Sequence, residues 1–393
     1  MSDPWLTIIG IGDDGLAGLS EASRKALANA ETVFGGERHL KLAGADGRGK
    51  PWPVPFDAAC VLTRRGHPTV VLASGDPFWH GAGGSLAAHL APDEWIAHPA
   101  LSTFSLAASR LGWQLENTIC IGLHAAPFER LVPLLSRGAR IICLVRDVKA
   151  AGDLAQWLVG RGWGVSRLWT LSALGGPREH MIECRPDSYV AASAASPVAV
   201  AIEAGGVAGL SRASGLADDL FQHDGQITKR PIRALALSAL APRPGEKLWD
   251  VGAGSGSISV EWALAGGTSI AFEAREDRAA HIRTNAEAFG LSHKVSIVIG
   301  TAPAALSSLD RPDVVFIGGG LDAAMFDAVW SLIPQDARLV AHSVTLETEA
   351  LLAGLQRKHG GDLLRIELSQ AAALGRYRSW EAARPVVQWS VVK

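Results

Sequence analysis

The sequence predicts an α/β protein built from two different modules, the second of which contains a doubly wound parallel sheet. Three observations lead to this prediction. The chain has 393 residues, which at ~150 residues per domain favours two domains. Short apolar runs alternate with longer helical patterns along most of the chain, as expected for βα units. A glycine-rich turn follows an apolar run in each half, and no internal repeat relates the two halves.

Composition narrows the possible functions. The chain is 48% hydrophobic and 19% charged, which is sufficient for packed cores. Its 37 Lys+Arg and 39 Asp+Glu give a net charge of -2, whereas a general nucleic-acid binder needs a basic excess. The four cysteines lie far apart, so we expect no metal site and a reducing compartment. The first residues lack the pattern of a signal peptide and no segment resembles a membrane span, so we expect a cytoplasmic protein.

Apolar runs in the first half predict buried strands, and the periodic segments between them predict helices. The predicted strands are 6–9, 69–73, 119–122 and 140–145, and the predicted helices are 20–30, 84–90, 103–111 and 151–159. This rhythm is lost between residues 187 and 224, a stretch rich in Ala, Ser and Gly. We therefore predict a linker there, with domains at 1–200 and 201–393.

The second half alternates more regularly, which predicts a parallel sheet with helices on both faces. Its last two strands have no helix between them, so they are expected to form an antiparallel hairpin at the edge. The predicted strands are 247–251, 269–273, 295–299, 314–317, 338–342, 363–368 and 386–392, and the predicted helices are 229–240, 257–264, 278–289, 303–309, 324–332 and 346–359.

The glycine-rich turn of the second half follows the strand predicted at 247–251. Its glycines are Gly252, Gly254 and Gly256, a spacing that differs from the G-x-G-x-x-G fingerprint of dinucleotide-binding proteins. Glu273 ends the next predicted strand, where a carboxylate can accept both ribose hydroxyls. Asp250 precedes the turn and suits the cationic sulfonium of S-adenosylmethionine (SAM) better than a pyrophosphate. The turn therefore favours SAM, with an NAD site and a simple helix-packing turn as alternatives.

The glycine-rich turn of the first half does match G-x-G-x-x-G, with Gly10, Gly12 and Gly15. The motif alone is a weak signal. Asp13 and Asp14 lie inside it, where their charge would oppose a pyrophosphate, and the following helix starts late, near residue 20. Dinucleotide binding is therefore disfavoured here.

Two later turns of the first half are more informative. Gly75-Asp76-Pro77 follows the strand predicted at 69–73, and Ser102-Thr103 leads into the helix predicted at 103–111. Each has a structural alternative, because Gly-Asp-Pro is a common turn and Ser is a common helix N-cap. Taken together and in this order, the turns are specific.

The first ~200 residues resemble the tetrapyrrole (corrin/porphyrin) methylases, which are class III SAM methyltransferases, in segments 9–12, 33–36, 75–77, 102–103 and 174–177. The remainder resembles the class I decarboxylating precorrin methylases, in segments 224–230 and 249–257. One difference from the resemblance is Asp13-Asp14, because many tetrapyrrole methylases have Pro-Gly at these positions. The resemblance implies a tetrapyrrole methylase fold of two α/β subdomains, followed by a Rossmann-like class I SAM methyltransferase fold.

The resemblance also implies an activity. A chain that combines both modules in this order is expected to methylate carbons 5 and 15 of a precorrin-6 macrocycle. It is also expected to remove carbon dioxide from the ring-C acetate, giving precorrin-8 in cobalamin biosynthesis. The second domain is expected to methylate carbon 15 and to decarboxylate, and the first to methylate carbon 5. The meso carbons are electron-rich, so the transfer needs mainly proximity and alignment. We identify no catalytic residue from the sequence, and the implied methyl transfer requires no metal.

The site residues implied by the resemblance form two SAM sites per chain. In the first domain they are Gly10, Gly75, Asp76, Pro77, Ser102 and Thr103, and in the second Thr228, Gly252, Ala253, Gly254, Ser255, Gly256, Glu273 and Ala302.

The polycarboxylate substrate calls for local basic groups, since arginine can bind a carboxylate with two parallel hydrogen bonds. The candidates are Lys229, Arg230, Arg376 and Arg378, with Arg233 and Arg384 in the same two clusters. Histidines 223, 281 and 342 are candidate acids, although isolated histidines are more often structural.

Three alternatives remain at this point. The substrate of a related methyltransferase can carry cobalt, as in the anaerobic route. Two Rossmann-like halves would also suit an NAD-dependent oxidoreductase. In the third alternative, the first domain is a non-catalytic oligomerisation scaffold for a single active methylase. This alternative predicts one SAM site per chain. In each case we expect a small-molecule substrate, no nucleic-acid or membrane partner, and a homo-oligomer.

Overall fold

The computed structural model describes residues 4–190, 196–306 and 310–393. The chain divides into two compact units, one ending at Ala208 and the other comprising Gly209–Lys393, with Glu129–Pro133 belonging to the second. Among the described residues, no helix combines the length and apolar character needed to cross a membrane.

The first sheet of the first unit contains five parallel strands in the order β3-β2-β4-β1-β5. The almost wholly apolar strands β1 and β4 are neighbours in its interior, as expected for strands covered on both faces. The strands are β1 (Leu6–Ile11), β2 (Thr32–Gly35), β3 (Gly49–Pro51), β4 (Thr69–Ser74) and β5 (Trp95–His98), and the helices are α1 (Glu21–Asn29), α2 (Glu37–Leu42), α3 (Ala59–Leu62) and α4 (Ala82–Ala87).

The second sheet of this unit is mixed, in the order β6-β7-β10-β8-β9, with β10 antiparallel to both of its neighbours. Its elements are α5 (Thr103–Leu111), β6 (Ile119–Gly122), β7 (Arg140–Leu144), α6 (Val148–Gly160), β8 (Arg167–Ser172), β9 (His180–Cys184) and β10 (Val198–Glu203).

Strand β10 lies within the stretch interpreted as a linker, and the domain limit predicted at residue 200 falls inside it. The linker interpretation is wrong for these residues. From Val198 to Ile202 every side chain is apolar and buried, so the strand belongs to the core. Residues 191–195 of the stretch lie outside the described residues.

The second unit confirms the predicted doubly wound sheet. Seven strands occur in the order β13-β12-β11-β14-β15-β19-β16, and the first five are parallel. The strands are β11 (Lys247–Val251), β12 (Thr268–Glu273), β13 (Val295–Ile299), β14 (Val314–Ile317), β15 (Arg338–Ser343), β16 (Asp362–Ile366) and β19 (Val386–Val392), and the helices are α7 (Arg230–Leu240), α8 (Ser257–Leu264), α9 (Glu276–Ala288), α10 (Ala323–Leu332) and α11 (Leu346–His359).

The end of this sheet differs from the prediction in two ways. Strands β16 and β19 do pair antiparallel, as expected. However, β19 is inserted between β15 and β16, so β16 alone forms this edge of the sheet. Between them the chain forms a separate hairpin, β17 (Ser369–Leu374) and β18 (Tyr377–Ala382), whose side chains are largely exposed. Of the helix predicted at 303–309, a short 3₁₀ turn occurs at Ala304–Leu306, and 307–309 lie outside the described residues.

Candidate functional site

The glycine loop of the second unit leads from β11 into α8. Gly252, Gly254 and Gly256 have φ angles of 72°, 58° and 72°, which glycine adopts with little strain. A Cβ atom on Gly252 or Gly254 would meet no atom within 3.4 Å, whereas one on Gly256 would lie 2.7 Å from Cγ2 of Ile282 in α9. The first two glycines therefore leave open space above the loop, and the third allows α8 and α9 to pack closely.

Glu273, at the end of β12, lies directly beside this loop. Its Oε2 accepts a hydrogen bond from the Gly254 N–H at 2.9 Å, and its Oε1 accepts one from the Arg275 N–H at 3.0 Å. Each carboxylate oxygen keeps a further lone pair. Glu273 therefore holds the glycine loop and keeps acceptor capacity directly beside it.

A cleft of about 560 Å³ in the first unit has a counterpart of about 910 Å³ in the second. In the second unit the cleft lining includes the following residues predicted from sequence: Thr228, Lys229, Arg230, Gly252, Ala253, Gly254 and Ser255. The Ser255 hydroxyl is buried and, among the described residues, has no hydrogen-bond partner. An unpaired buried hydroxyl in a glycine cradle fits a polar ligand such as SAM. Gly256, Glu273 and Ala302 lie outside the lining, and Ala302 packs against the core.

Asp250 lies beneath the loop rather than in the cleft. It is 1% exposed and accepts hydrogen bonds from the N–H and the hydroxyl of Ser259 in α8. Burial raises the pKa of its carboxyl to about 6, against the opposing effect of the Ser259 hydrogen bonds. Asp250 therefore holds the loop against α8, and its carboxylate lies outside the cleft lining.

Arg233 is also an interior residue, although the sequence groups it with the substrate-binding candidates. It is fully buried and forms ion pairs with Glu261 and Asp218. It also donates hydrogen bonds to the carbonyl oxygens of Leu216 and Thr228. This network fixes the segment that carries Thr228 along one side of the cleft.

The other basic candidates separate into two groups. Lys229 and Arg230 line the cleft, and so does Arg384. Arg376 and Arg378 lie on the exposed β17–β18 hairpin outside the cleft lining, and the Arg376 guanidinium lies 5.0 Å from the centre of the Tyr377 ring. The sequence did not predict this hairpin, so it gave no indication that these two arginines lie outside the cleft lining.

Three turns of the first unit converge on one point. The Gly75 N–H donates to the Ile11 carbonyl at 3.2 Å, and the Ala100 N–H donates to the Gly75 carbonyl at 3.1 Å. A Cβ atom on Gly10 would lie 1.8 Å from the Gly75 oxygen. The glycines of the first two turns are therefore required for contact between backbones. They bring Asp76 and Ser102 to the same cleft.

This first-unit cleft includes Asp76, Ser102 and Thr103 of the predicted residues, while Gly10, Gly75 and Pro77 lie outside its lining. Ser102 is also the N-cap of α5, because its hydroxyl accepts a hydrogen bond from the Ser105 N–H at 3.0 Å. Both interpretations of this residue are therefore compatible. Three histidines also line this cleft, His39, His80 and His124, and no sequence pattern pointed to them.

His39 lies at the first turn of α2 and faces β4. Its Nε2 is 2.8 Å from the Ser74 hydroxyl and 3.0 Å from Nη2 of Arg38. Burial, followed by the neighbouring guanidinium, lowers its pKa to about 4. The ring is therefore neutral near pH 7.

One of the two aspartates of the first glycine turn, Asp13, has structural contacts. Asp13 is buried and forms an ion pair with Arg38 at 2.7 Å and a longer one with Arg178 at 3.5 Å. The helix α1 begins after Ser20, as predicted. A short 3₁₀ turn at Gly15–Gly18 comes first, so the glycine turn lacks an α-helix N-terminus directly behind it, which a pyrophosphate site would use.

Comparison with known proteins connects both halves to one kind of enzyme. Residues 5–187 match the family of Tetrapyrrole (Corrin/Porphyrin) Methylases, and residues 219–393 match the Precorrin methyltransferase domain. A precorrin-6Y C(5,15)-methyltransferase [decarboxylating] from Sinorhizobium sp is 44% identical over 99% of this chain and 97% of the relative. The chain belongs to the precorrin-6Y C(5,15)-methyltransferase (decarboxylating) family.

A second member of this family, from Mycobacterium tuberculosis, is 40% identical over 99% of this chain and 100% of its own length. The crystal structure of the C-terminal domain of precorrin-6Y C5,15-methyltransferase from Rhodobacter capsulatus is 53% identical, covers 47% of this chain and 100% of that chain, and has a TM-score of 0.46. As a member of the precorrin-6Y methyltransferase family, the chain is a methyltransferase for which SAM is the implied methyl donor. The oxidoreductase alternative is therefore wrong.

Proposed function

We propose that the chain methylates carbons 5 and 15 of a precorrin-6 macrocycle and removes carbon dioxide from its ring-C acetate. The observation that carries this proposal is the presence of a cleft in each unit, each lined in part by residues that the methylase resemblance selects. One cleft per methyl transfer matches the two ring positions in the names of the relatives. The first unit is assigned to carbon 5, and the second to carbon 15 and decarboxylation.

The proposed cofactor contacts are supported by the geometry of the glycine loop and of each cleft. In the second unit, Gly252 and Gly254 provide open space, Ser255 provides an unpaired hydroxyl, and Glu273 accepts the ribose hydroxyls. In the first unit, Asp76, Ser102 and Thr103 contribute polar groups to the lining, while the remaining implied residues shape the turns. When bound, SAM supplies an electrophilic methyl group to a nucleophilic ring carbon.

The proposed substrate contacts in the second unit are cationic. Lys229, Arg230 and Arg384 line the cleft, and within the described part of the chain no ion pair engages these three side chains. Free guanidinium groups suit the acetate and propionate carboxylates of a tetrapyrrole. Alignment of the macrocycle by these groups is the main contribution that a carbon methylation needs from the protein.

We also infer that the protein forms a homo-oligomer. The β17–β18 hairpin exposes Leu374, Tyr377 and Trp380, which are 64%, 66% and 75% accessible. Large apolar side chains on one exposed element favour association. Light scattering of the wild type should give a multiple of 41.3 kDa, and a monomer at micromolar concentration would contradict this inference.

The test of the proposed function combines binding with product analysis. Titration calorimetry with S-adenosylhomocysteine should find about two sites per chain. Mass spectrometry after incubation with SAM and reduced precorrin-6 should detect two methyl additions and one loss of carbon dioxide.

Each outcome discriminates between hypotheses. One site per folded chain would support the scaffold alternative for the first unit. Turnover of the cobalt-containing macrocycle alone would assign the chain to the cobalt route. No methylation of either macrocycle would overturn the proposal.

A further inference from the structure

We propose that His342 is the catalytic base of the second unit, and that its Nδ1 atom accepts the proton that leaves carbon 15 during methylation. This inference rests on the proposed function of that cleft. It concerns a residue that the resemblance to the methylase families does not select.

The position of His342 is the first support. It lies near the carboxyl end of β15, the edge of a parallel sheet at which ligands bind. The side chain is 4% exposed and lines the same cleft as the open glycines Gly252 and Gly254. It is the one imidazole among the described residues that line this cleft.

The hydrogen bonding of the ring is the second support. His342 faces Gln388 across the β15–β19 pairing, and its Nε2 lies 2.9 Å from Oε1 of that carboxamide. A carboxamide oxygen only accepts hydrogen bonds, so Nε2 carries the hydrogen and Nδ1 is an unprotonated acceptor. The edge-on Phe316 ring, 5.0 Å away between ring centres, restricts rotation of the imidazole. Burial lowers the pKa of His342, with the Gln388 hydrogen bond acting in the opposite direction, so the ring remains neutral near pH 7.

The other candidate histidines lack this arrangement. The Nδ1 of His223 already accepts a hydrogen bond from the Gly225 N–H at 2.9 Å. His281 lies on α9 outside the cleft lining. Neither has a free acceptor atom in the cleft.

The charged groups around the cleft are mainly cationic. They are Lys229, Arg230, Arg278 and Arg384, with Asp218 as the one carboxylate among the described lining residues. Asp218 is paired with Arg233, and Arg278 with Asp224. Among the described lining residues, therefore, no unpaired carboxylate competes with His342 for the proton.

The chemistry requires an acceptor of this kind. Carbon 15 forms a bond to the methyl group while the sulfur–methyl bond breaks and leaves its electron pair on sulfur. The C15–H bond then breaks, its electrons return to the conjugated ring, and the proton goes to Nδ1 of His342. Loss of carbon dioxide leaves a methylene that must gain one proton to become a methyl group, and the imidazolium holds one. The two steps together leave the protein in its original protonation state.

The experiment compares the full-length wild type with His342→Gln, which keeps a polar side chain and removes the basic nitrogen. His293→Gln is the matched control. His293 is exposed and lies just before the start of β13, at the end of the strands opposite to the cleft. In the His342 variant, single-turnover methylation at carbon 15 should fall by about 10²- to 10⁴-fold. The affinity for S-adenosylhomocysteine should change by less than about threefold. The control should match the wild type in both measurements.

A second readout is independent of turnover. In ¹⁵N-histidine-labelled protein, the signal that disappears in His342→Gln should show a protonated Nε2 and an unprotonated Nδ1 at pH 7. An Nδ1–H tautomer would overturn the proposal, as would carbon 15 methylation within threefold of the wild type. Equal losses of cofactor affinity and of methylation would show that the residue is only structural, which also overturns it. A wild type that methylates no precorrin would instead contradict the proposed function.

Discussion

The glycine-rich turns of the two units look similar in sequence and differ in physical role. In the first unit, Gly10 and Gly75 are required because two backbones touch there, and the ligand-facing atoms come from other residues. In the second unit, Gly252 and Gly254 themselves line the cleft, and their missing side chains leave it open.

This difference shows what a Gly-x-Gly pattern reports. Such a pattern indicates that a side chain would clash at these positions. It does not distinguish a clash with the protein's own backbone from a clash with a bound ligand. A glycine that packs against backbone should affect folding when replaced. A glycine or carboxylate at the open loop should affect ligand binding. Substitutions in the two units therefore separate these roles.

The largest effect is expected from Arg233→Met in the second unit. The change leaves Glu261 buried without its cationic partner, which should lower the free energy of unfolding by about 3–5 kcal/mol. Urea unfolding followed by tryptophan fluorescence measures this loss. The double variant Arg233→Met/Glu261→Met is the control and should recover part of the stability, because the unpaired charge is removed while two buried backbone N–H groups lose their acceptor. A single variant as stable as the wild type would show that the buried network does not support the cleft wall.

The next effect is expected from Gly10→Ala in the first unit. The new methyl group would lie 1.8 Å from a backbone oxygen that cannot rotate away, so the loss of stability should be about 3 kcal/mol. Gly84→Ala is the matched control. Gly84 lies in α4 and has open space around it, so its replacement should be neutral or slightly stabilising. Equal unfolding curves for Gly10→Ala and the wild type would refute the assigned packing role.

Glu273→Ala should act on binding in the second unit. Loss of hydrogen bonds to a charged acceptor should weaken S-adenosylhomocysteine there by about 1.5–3 kcal/mol, or roughly 10- to 150-fold. Calorimetry should then show one site weakened and the first-unit site unchanged. The control Asp277→Ala removes a nearby exposed carboxylate whose partner is Arg275, and both sites should keep their affinity. If both sites respond equally to Glu273→Ala, the two clefts are not independent.

The smallest effect is a pH dependence of opposite sign in the two units. His39 has its pKa lowered from 6.5 to about 4, so between these values the unfolded chain binds a proton that the folded chain does not, and stability falls as the pH falls. Asp250 has its pKa raised from 3.8 to about 6, so in that window stability rises as the pH falls. Each contributes at most ~1.4 kcal/mol per pH unit.

Unfolding measured at pH 7 and pH 5.5 tests these signs. Relative to the wild type, His39→Gln should lose less stability on acidification, and Asp250→Asn should lose more. A change of slope in the opposite direction for either variant would refute the assigned burial effect.

The sequence predicted those elements whose pattern is local. The strand at 247–251, its glycine loop and the carboxylate of Glu273 follow one another in a regular βα order, and the structure brings them together. Ser102 could be recognised as a cap because capping depends on neighbouring residues. Periodicity and turn chemistry were sufficient in these cases.

Features that depend on distant contacts were missed. Strand β10 was hidden because its short apolar run lies among Ala, Ser and Gly, and its pairing partners are far away in the chain. The histidines of the first cleft come from helix α2 and two separate loops, with no shared spacing. His342 did carry a signal, since it lies near the carboxyl end of a predicted strand, where ligands bind in open parallel sheets.

The order of strands has a consequence for synthesis on the ribosome. In both units the strand made last is inserted between two strands made earlier, since β10 separates β7 from β8 and β19 separates β15 from β16. Until residues 198–203 and 386–392 have emerged, the neighbouring strands have open edges, which are templates for association with other chains. Nascent chains that stop just before either strand are therefore the stages at which we expect chaperone binding to be strongest.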